Sequence, residues 1–98
     1  MNYLRIYNTL IKSRQDQKRT KIPGDGLERH HIIPRSIGGV DESSNLVYLT
    51  PREHFIAHRL LVKIYSGKHK AKMVYALHRM MSNNSQQARN YITSRHYE

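Results

Sequence analysis

Four of the histidines in this chain form two close pairs. His30 and His31 are adjacent within ERHHIIP, and His54 and His58 lie four residues apart. Imidazole binds transition metals, and with an ordinary pKa of about 6.5 it also accepts a proton from water near neutral pH. With 7 histidines in 98 residues, either pair alone arises readily by chance. The two pairs together raise the question of a reaction centre.

The second pair lies in a segment with strong helix-start signals. Thr50 offers a hydroxyl N-cap, Pro51 suits the first helical position, and Glu53 is placed to reach back to the cap amide. We expect this helix to run to about residue 65. At about 100° per residue, His54 and His58 are stacked one turn apart, away from a charged stripe that we predict to face solvent. The stripe consists of Arg52, Arg59 and Lys63. Because an unpaired buried imidazole costs about 1–3 kcal/mol, the inward pair requires hydrogen bonds or a metal ion.

The first pair lies in a predicted β-hairpin that precedes this helix. Residues 27–33 read as a strand that ends at Pro34, which lacks an amide proton, and residues 46–49 read as its antiparallel partner. The sequence between them is too long for a tight turn and predicts an ordered surface loop. The hairpin is expected to carry His30 or His31 to the inner face of the helix. Since neighbouring strand residues face opposite ways, one metal ligand and one base is the simplest assignment.

The remaining segments predict helices on either side of this unit. Residues 2–14 show helical apolar spacing, residues 15–26 form a basic connector, and a further helix follows Gly67. Ser85 is expected to cap a weaker helix through residue 92. The length predicts a single α+β domain. Its predicted parts are 1–26 (N-terminal helix and connector), 27–66 (hairpin and helix) and 67–98 (C-terminal helices).

The charge balance favours a polyanionic partner. The chain has 17 Lys and Arg against 7 Asp and Glu, a formal net charge of +10, and we expect it to bind nucleic acid rather than to be merely soluble. It lacks an apolar run of the kind that a signal peptide or membrane span requires, so we expect no membrane partner. The absence of cysteine excludes disulfides and fits a cytoplasmic location.

The ligand types bear on the kind of metal site. Structural zinc sites are usually closed by cysteine thiolates, whereas imidazole ligands with an open position suggest catalysis. One divalent ion is therefore expected, and imidazole coordination favours Zn, Ni, Co or Mn over Mg. Its identity stays open.

The order of these residues resembles the HNH nucleases, also called ββα-metal or His-Me finger endonucleases. The resemblance covers residues 27–65 and rests on HHIIP at 30–34, Gly38-Gly39, Asn45-Leu46, and then His54 and His58. The sequence ERHHIIPRSIGG is most similar to those of small phage-encoded, free-standing homing endonucleases of this family. The resemblance implies a ββα-metal (HNH) hairpin-plus-helix core with flanking helices. It also implies that the protein cleaves DNA with a divalent metal, commonly magnesium.

The resemblance also implies roles for single residues. His31 matches the general base that activates the attacking water, and His30, His54 and His58 match the metal ligands. Asn45 matches a position that pins the loop and orients the base, although in some members that position binds the metal.

Further residues around this motif have two interpretations each. Glu28 either supports the metal ligands or is an exposed strand residue. Three arginines are candidate contacts to DNA phosphates or solvated charges, namely Arg35, Arg52 and Arg59. No chemistry is assigned to the remaining histidines, which are His69, His78 and His96.

The sequence thus predicts a metal-dependent DNA endonuclease or nickase. Two other functions stay open: a DNA-binding module that keeps the same frame without cutting, and a structural metal-binding interaction domain. No separate DNA-reading module is recognisable outside residues 27–66, so sequence specificity is open. A homodimer or an accessory protein is compatible with the sequence.

Overall fold

A computed structural model describes residues 1–19 and 24–83. The elements are α1 (Tyr3–Asp16), β1 (Glu28–His31), two 3-10 turns (Arg35–Ile37 and Ser43–Asn45), β2 (Leu46–Leu49), α2 (Pro51–Ile64) and α3 (Gly67–Asn83). The predicted α+β class is confirmed, and a hairpin followed directly by a helix is compatible with a ββα-metal core. The predicted helix over 85–92 lies outside the described residues, and the predicted three-part division of the chain stays a prediction.

The hairpin pairs β1 with β2 in an antiparallel register that sets Glu28 opposite Leu49 and His30 opposite Val47. Val47 and Leu49 are buried, as is His30, so one face of the hairpin packs inward. β2 has the predicted bounds.

β1 is shorter than the predicted strand over 27–33, because the chain leaves the ladder after His31. The amide of Ile32 donates to the carbonyl of Asn45, and the amide of Ile33 donates to the Asn45 side chain. These bonds turn the backbone into the loop in place of further strand pairing.

α2 begins as the sequence predicts. Thr50 accepts from the amide of Glu53, and the Glu53 side chain accepts from the amide of Thr50, so both halves of the capping box are present. The helix ends at Ile64, one residue before the predicted end. Of the predicted solvent stripe, Arg52 and Lys63 are exposed, but Arg59 is half-buried because its guanidinium lies over the ring of Phe55.

The core lies where α1 and α3 pack against α2 and the hairpin. Its buried apolar members are Tyr7, Ile11, Val47, Leu49, Ala57, Leu61 and Met73. Full burial of a side chain such as leucine contributes about 1.5–3 kcal/mol, so this small cluster fixes the hairpin on α2. Among the described residues, no helix is long and apolar enough to cross a membrane.

Glu53 joins three parts of the chain. Besides capping α2, its carboxylate accepts hydrogen bonds from Arg14 on α1 and from Arg19, at 2.6 Å, in the segment after α1. Burial acts to raise the pKa of Glu53, but the hydrogen bonds from Arg19, from the Thr50 amide and from Arg14 outweigh it and lower the pKa to about 2. The ionised carboxylate therefore stabilises the packing of α1 on α2.

We expect Glu53→Gln to lower the free energy of unfolding at pH 7 by about 1–3 kcal/mol, since hydrogen bonds to a charged group are lost. Because the folded pKa is depressed, this stabilisation is present above the ordinary value of 4.5 and is lost as pH falls towards about 2. Urea unfolding followed by circular dichroism measures the difference from the unsubstituted protein. Glu42→Gln, which changes an exposed loop carboxylate, is the control. If the difference in the free energy of unfolding does not decrease with acidification, the ionised Glu53 carboxylate is not its source.

Candidate metal centre

Three imidazoles meet between the hairpin and α2. The ring centroid of His30 lies 5.2 Å from that of His54 and 5.1 Å from that of His58, and the two α2 rings are 4.8 Å apart. One nitrogen from each ring lies within 4.8 Å of the other two. The structure therefore brings together the three residues that the resemblance implies as ligands.

Glu28 orients His54. Strand alternation places Glu28 on the same face of β1 as His30, and its Oε1 lies 2.8 Å from Nδ1 of His54. Since an ionised carboxylate only accepts hydrogen bonds, Nδ1 carries the proton and Nε2 keeps its lone pair. A carboxylate behind a histidine in this way raises the ability of the ring to bind a metal.

Tyr7 orients His30 in a similar way. Its hydroxyl lies 2.6 Å from the carbonyl oxygen of Ile32 and 2.8 Å from Nε2 of His30. The carbonyl can only accept, so the single hydroxyl proton goes to Ile32 and the hydroxyl accepts from Nε2 of His30. Nδ1 of His30 is then the nitrogen with a free lone pair.

Tyr7 is a residue whose contribution the sequence analysis missed. The sequence analysis placed it only within the helical apolar spacing of residues 2–14, and it does belong to the core. A buried tyrosine hydroxyl, however, usually has a hydrogen-bond partner. That requirement was the available signal, although it does not identify the partner.

Burial keeps the rings of His30 and His58 neutral. It lowers the pKa of His30 to about 2, with further lowering from the charges that His58, His54 and His31 would carry. Burial, and to a smaller extent the charge that His54 would carry, lowers the pKa of His58 to about 3, whereas Glu28 acts to raise it. Burial raises the pKa of Tyr7, so its hydroxyl stays protonated. Neutral imidazole is the form that binds metals.

The geometry fits a divalent transition metal. The Nε2 atoms of His54 and His58 are 3.2 Å apart, while two nitrogens bound to tetrahedral zinc at about 2.0–2.1 Å are themselves roughly 3.4 Å apart. Nδ1 of His58 is buried and lacks a hydrogen-bond partner within the part of the chain that the structure describes. Three imidazoles without a thiolate match a site that leaves a coordination position open.

His31 lies beside the cluster in a different environment. Its Nε2 is 2.9 Å from Oδ1 of Asp41, an exposed loop residue. The hydrogen bond to His31 holds the pKa of Asp41 below its ordinary value, so this carboxylate accepts from Nε2, and in a neutral His31 ring the lone pair is then on Nδ1. Asp41 was not singled out in the sequence, because nothing local links it to a histidine ten residues earlier.

A cleft of about 230 Å³ joins these groups. Its lining residues are Arg29, His30, His31, Pro34, Arg35, Ser36, His54, His58 and Ala76. The three-imidazole cluster and His31 therefore open onto one shared space.

Asn45 holds the loop of the hairpin. Its Oδ1 accepts from the amide of Ile33 at 2.8 Å, and its Nδ2 donates to the carbonyls of Ile33 and Val40, each at 2.9 Å. Gly39 lies against the same backbone, where a Cβ would overlap the carbonyl oxygen of Ile33. These contacts fix the segments that carry His31 and Asp41.

The arginines predicted to contact phosphate fall in two places. Arg35 lines the cleft together with Arg29, which the sequence analysis did not single out. Arg52 and Arg59 are not among the described residues that line it, because on α2 they lie on the side away from the histidines. Their predicted phosphate contacts stay a prediction. His69 and His78 are exposed, and His96 lies outside the described residues.

The chain is similar to proteins of Enterobacteria phage T4 that are named probable mobile endonucleases. It is 43% identical over 97 residues to mobile endonuclease C, covering 99% of this chain and 42% of that protein. It is 44% identical over 91 residues to mobile endonuclease E, covering 93% and 60% respectively. It is 56% identical over 66 residues to mobile endonuclease D, covering 66% and 26%. The chain thus spans less than two thirds of the length of these relatives. No protein-family model and no solved structure matches it.

We expect the chain to bind Co²⁺ or Zn²⁺ and Tyr7→Phe to weaken that binding by about 10- to 100-fold, the usual effect of losing a hydrogen bond behind a metal ligand. Isothermal titration calorimetry and the visible absorption of bound Co²⁺ measure it. Tyr3→Phe, on the same helix, is the control. Thermal unfolding without metal measures the effect of Tyr7→Phe on stability separately from its effect on metal affinity. Lower stability with unchanged metal affinity would make Tyr7 a core residue only.

Proposed function

We propose that this chain is a metal-dependent endonuclease or nickase of the HNH (ββα-metal) type that hydrolyses phosphodiester bonds in DNA. The observation that carries the proposal is the position of His31. This histidine opens onto the same cleft as the three-imidazole cluster, and the carboxylate of Asp41 is hydrogen-bonded to its Nε2. The similarity to proteins named mobile endonucleases supports the same conclusion.

His31 is the proposed general base. With Nε2 donating to Asp41, Nδ1 is free to take a proton from a water molecule, and the carboxylate stabilises the imidazolium that results. A divalent cation held by His30, His54 and His58 would neutralise charge on the phosphate and on the departing oxygen. Proton transfer and charge neutralisation are the two contributions that phosphodiester hydrolysis requires.

The surrounding residues position these groups. Glu28 and Tyr7 fix the tautomers of two ligands, and Asn45 holds the loop on which Asp41 lies. Arg29 and Arg35 are proposed to contact DNA phosphates at the cleft, because guanidinium groups bind phosphate oxygens without reading sequence.

We expect His31→Ala to lower the rate of nicking of supercoiled plasmid by about 10²–10⁴-fold, the usual contribution of a general base. Binding of Co²⁺ should be unchanged, because His31 is not one of the three ligands. His78→Ala, which alters an exposed histidine on α3, is the control. If His31→Ala and the intact protein nick the plasmid at equal rates, His31 is not the general base. DNA binding without nicking at any divalent metal would instead favour a DNA-binding module.

We expect Asp41→Ala to lower the nicking rate by about 10- to 100-fold while leaving metal affinity unchanged, because the base loses the group that fixes its tautomer. The adjacent exposed carboxylate gives a matched control, Glu42→Ala. Single-turnover cleavage of a labelled plasmid at saturating metal measures both variants. If the two variants cut equally fast, the hydrogen bond between Asp41 and His31 does not contribute to catalysis.

A further inference from the structure

A second groove runs along α3 beside the histidine cleft. It has a volume of about 610 Å³ and is lined by Ser36, Ala71, Lys72, Tyr75, Ala76 and Arg79. Ser36 and Ala76 line the histidine cleft as well. The groove and the cleft are therefore adjacent and share two lining residues.

The charged side chains along this combined surface have one sign. Arg29 and Arg35 line the cleft, and Lys72 and Arg79 line the groove. Among the described residues that line either space, none is acidic. Such a surface attracts a polyanion along its whole length.

The groove is attached to the hairpin loop. Nζ of Lys72 donates to the carbonyl oxygen of Ser36 at 2.9 Å. This exposed contact joins α3 to the turn that follows His31, beside the cleft.

Tyr75 is the aromatic feature of the groove. Its side chain is 64% exposed, unlike that of Tyr7 in the core. It lies three residues after Lys72 and four before Arg79, hence on one helix face with both, and the Arg79 guanidinium lies over its ring, 5.9 Å from the centroid. An exposed aromatic ring between cations is typical of surfaces that bind single-stranded nucleic acid by stacking.

We propose that the α3 groove binds the DNA strand that continues from the cleft, with a base stacked on Tyr75 and phosphates beside Lys72 and Arg79. The inference rests on the proposed function and specifies its substrate: DNA that is single-stranded or unwound next to the cut, because a base must leave the duplex stack to reach the ring. A protein partner fits the groove less well, since the surface holds cations without opposing acids.

The first test measures binding of the intact chain to a labelled single-stranded oligonucleotide by fluorescence anisotropy, in EDTA so that cleavage plays no part. We expect Tyr75→Ala to weaken binding by about 5- to 150-fold, and Tyr75→Phe, which keeps the ring, to bind like the unsubstituted protein. Leu4→Ala, which removes an exposed apolar side chain on α1, should have no effect. Equal affinity of Tyr75→Ala and Leu4→Ala would overturn the proposal.

A second measurement uses the salt dependence of the same binding. Arg79→Ala should reduce the slope of log affinity against log salt by about 0.7, as expected for one lost phosphate contact on a single strand. Lys12→Ala, at an exposed cation of α1, should leave the slope unchanged. Equal slopes for the two variants would overturn the proposed phosphate contact at Arg79.

Two further outcomes separate this proposal from its alternatives. If Tyr75→Ala abolishes self-association in sedimentation without changing DNA affinity, a second copy of the chain occupies the groove and the inference is wrong. If the intact protein never nicks DNA but its binding depends on Tyr75, the groove assignment holds and only the catalytic proposal fails.

Discussion

The structure depends on hydrogen bonds that hold the rings of His30 and His54 where the hairpin packs on α2. His30 is as buried as the leucines around it, and a buried ring that lacks partners destabilises the folded state. Two partners come from different elements: Tyr7 from α1, and Glu28, which holds His54, from β1. Each partner accepts a hydrogen bond from one ring nitrogen, which is Nε2 of His30 or Nδ1 of His54. The lone pair of the other nitrogen in each neutral ring then stays available. The packing of α1 on the hairpin therefore positions the histidine cluster as well as forming part of the core.

The same constraint separates two neighbouring histidines. Strand alternation buries His30 beside α2, whereas His31 points away from that buried face to the edge of the same cleft, where Asp41 accepts a hydrogen bond from its Nε2. One residue type thus has two environments, a buried one suited to metal binding and a more exposed one suited to proton transfer. Asn45 maintains the difference, because its three hydrogen bonds keep the loop from moving relative to the strand.

The features that could be predicted from sequence are those with local signals. The capping box of α2, the bounds of β2 and the inward stacking of His54 and His58 all depend on spacings of a few residues. The missed contacts join distant residues, as between Tyr7 and His30, 23 positions apart, and no periodicity encodes them. Arg52 and Arg59 show a different limit of prediction from sequence. They were associated with the site because they are near it in the chain, yet helical geometry already placed them on the side away from the histidines.

The charges of this basic chain are distributed unevenly over the residues that the structure describes. On the side where α1 meets α2, Arg14 and Arg19 donate to Glu53, and Lys12 lies 3.8 Å from Asp16. Those cations are partly neutralised within the molecule. Near the cleft, the two carboxylates that approach the site are already engaged, Glu28 with His54 and Asp41 with His31. Arg29, Arg35, Lys72 and Arg79 are exposed along the cleft and groove, and none of the described residues that line these two spaces is acidic. Asp41, which interacts with Arg29 and Arg35, already accepts a hydrogen bond from His31. A phosphate backbone gains most where the protein has not already paired its own charges, and that surface passes directly over the imidazole cluster.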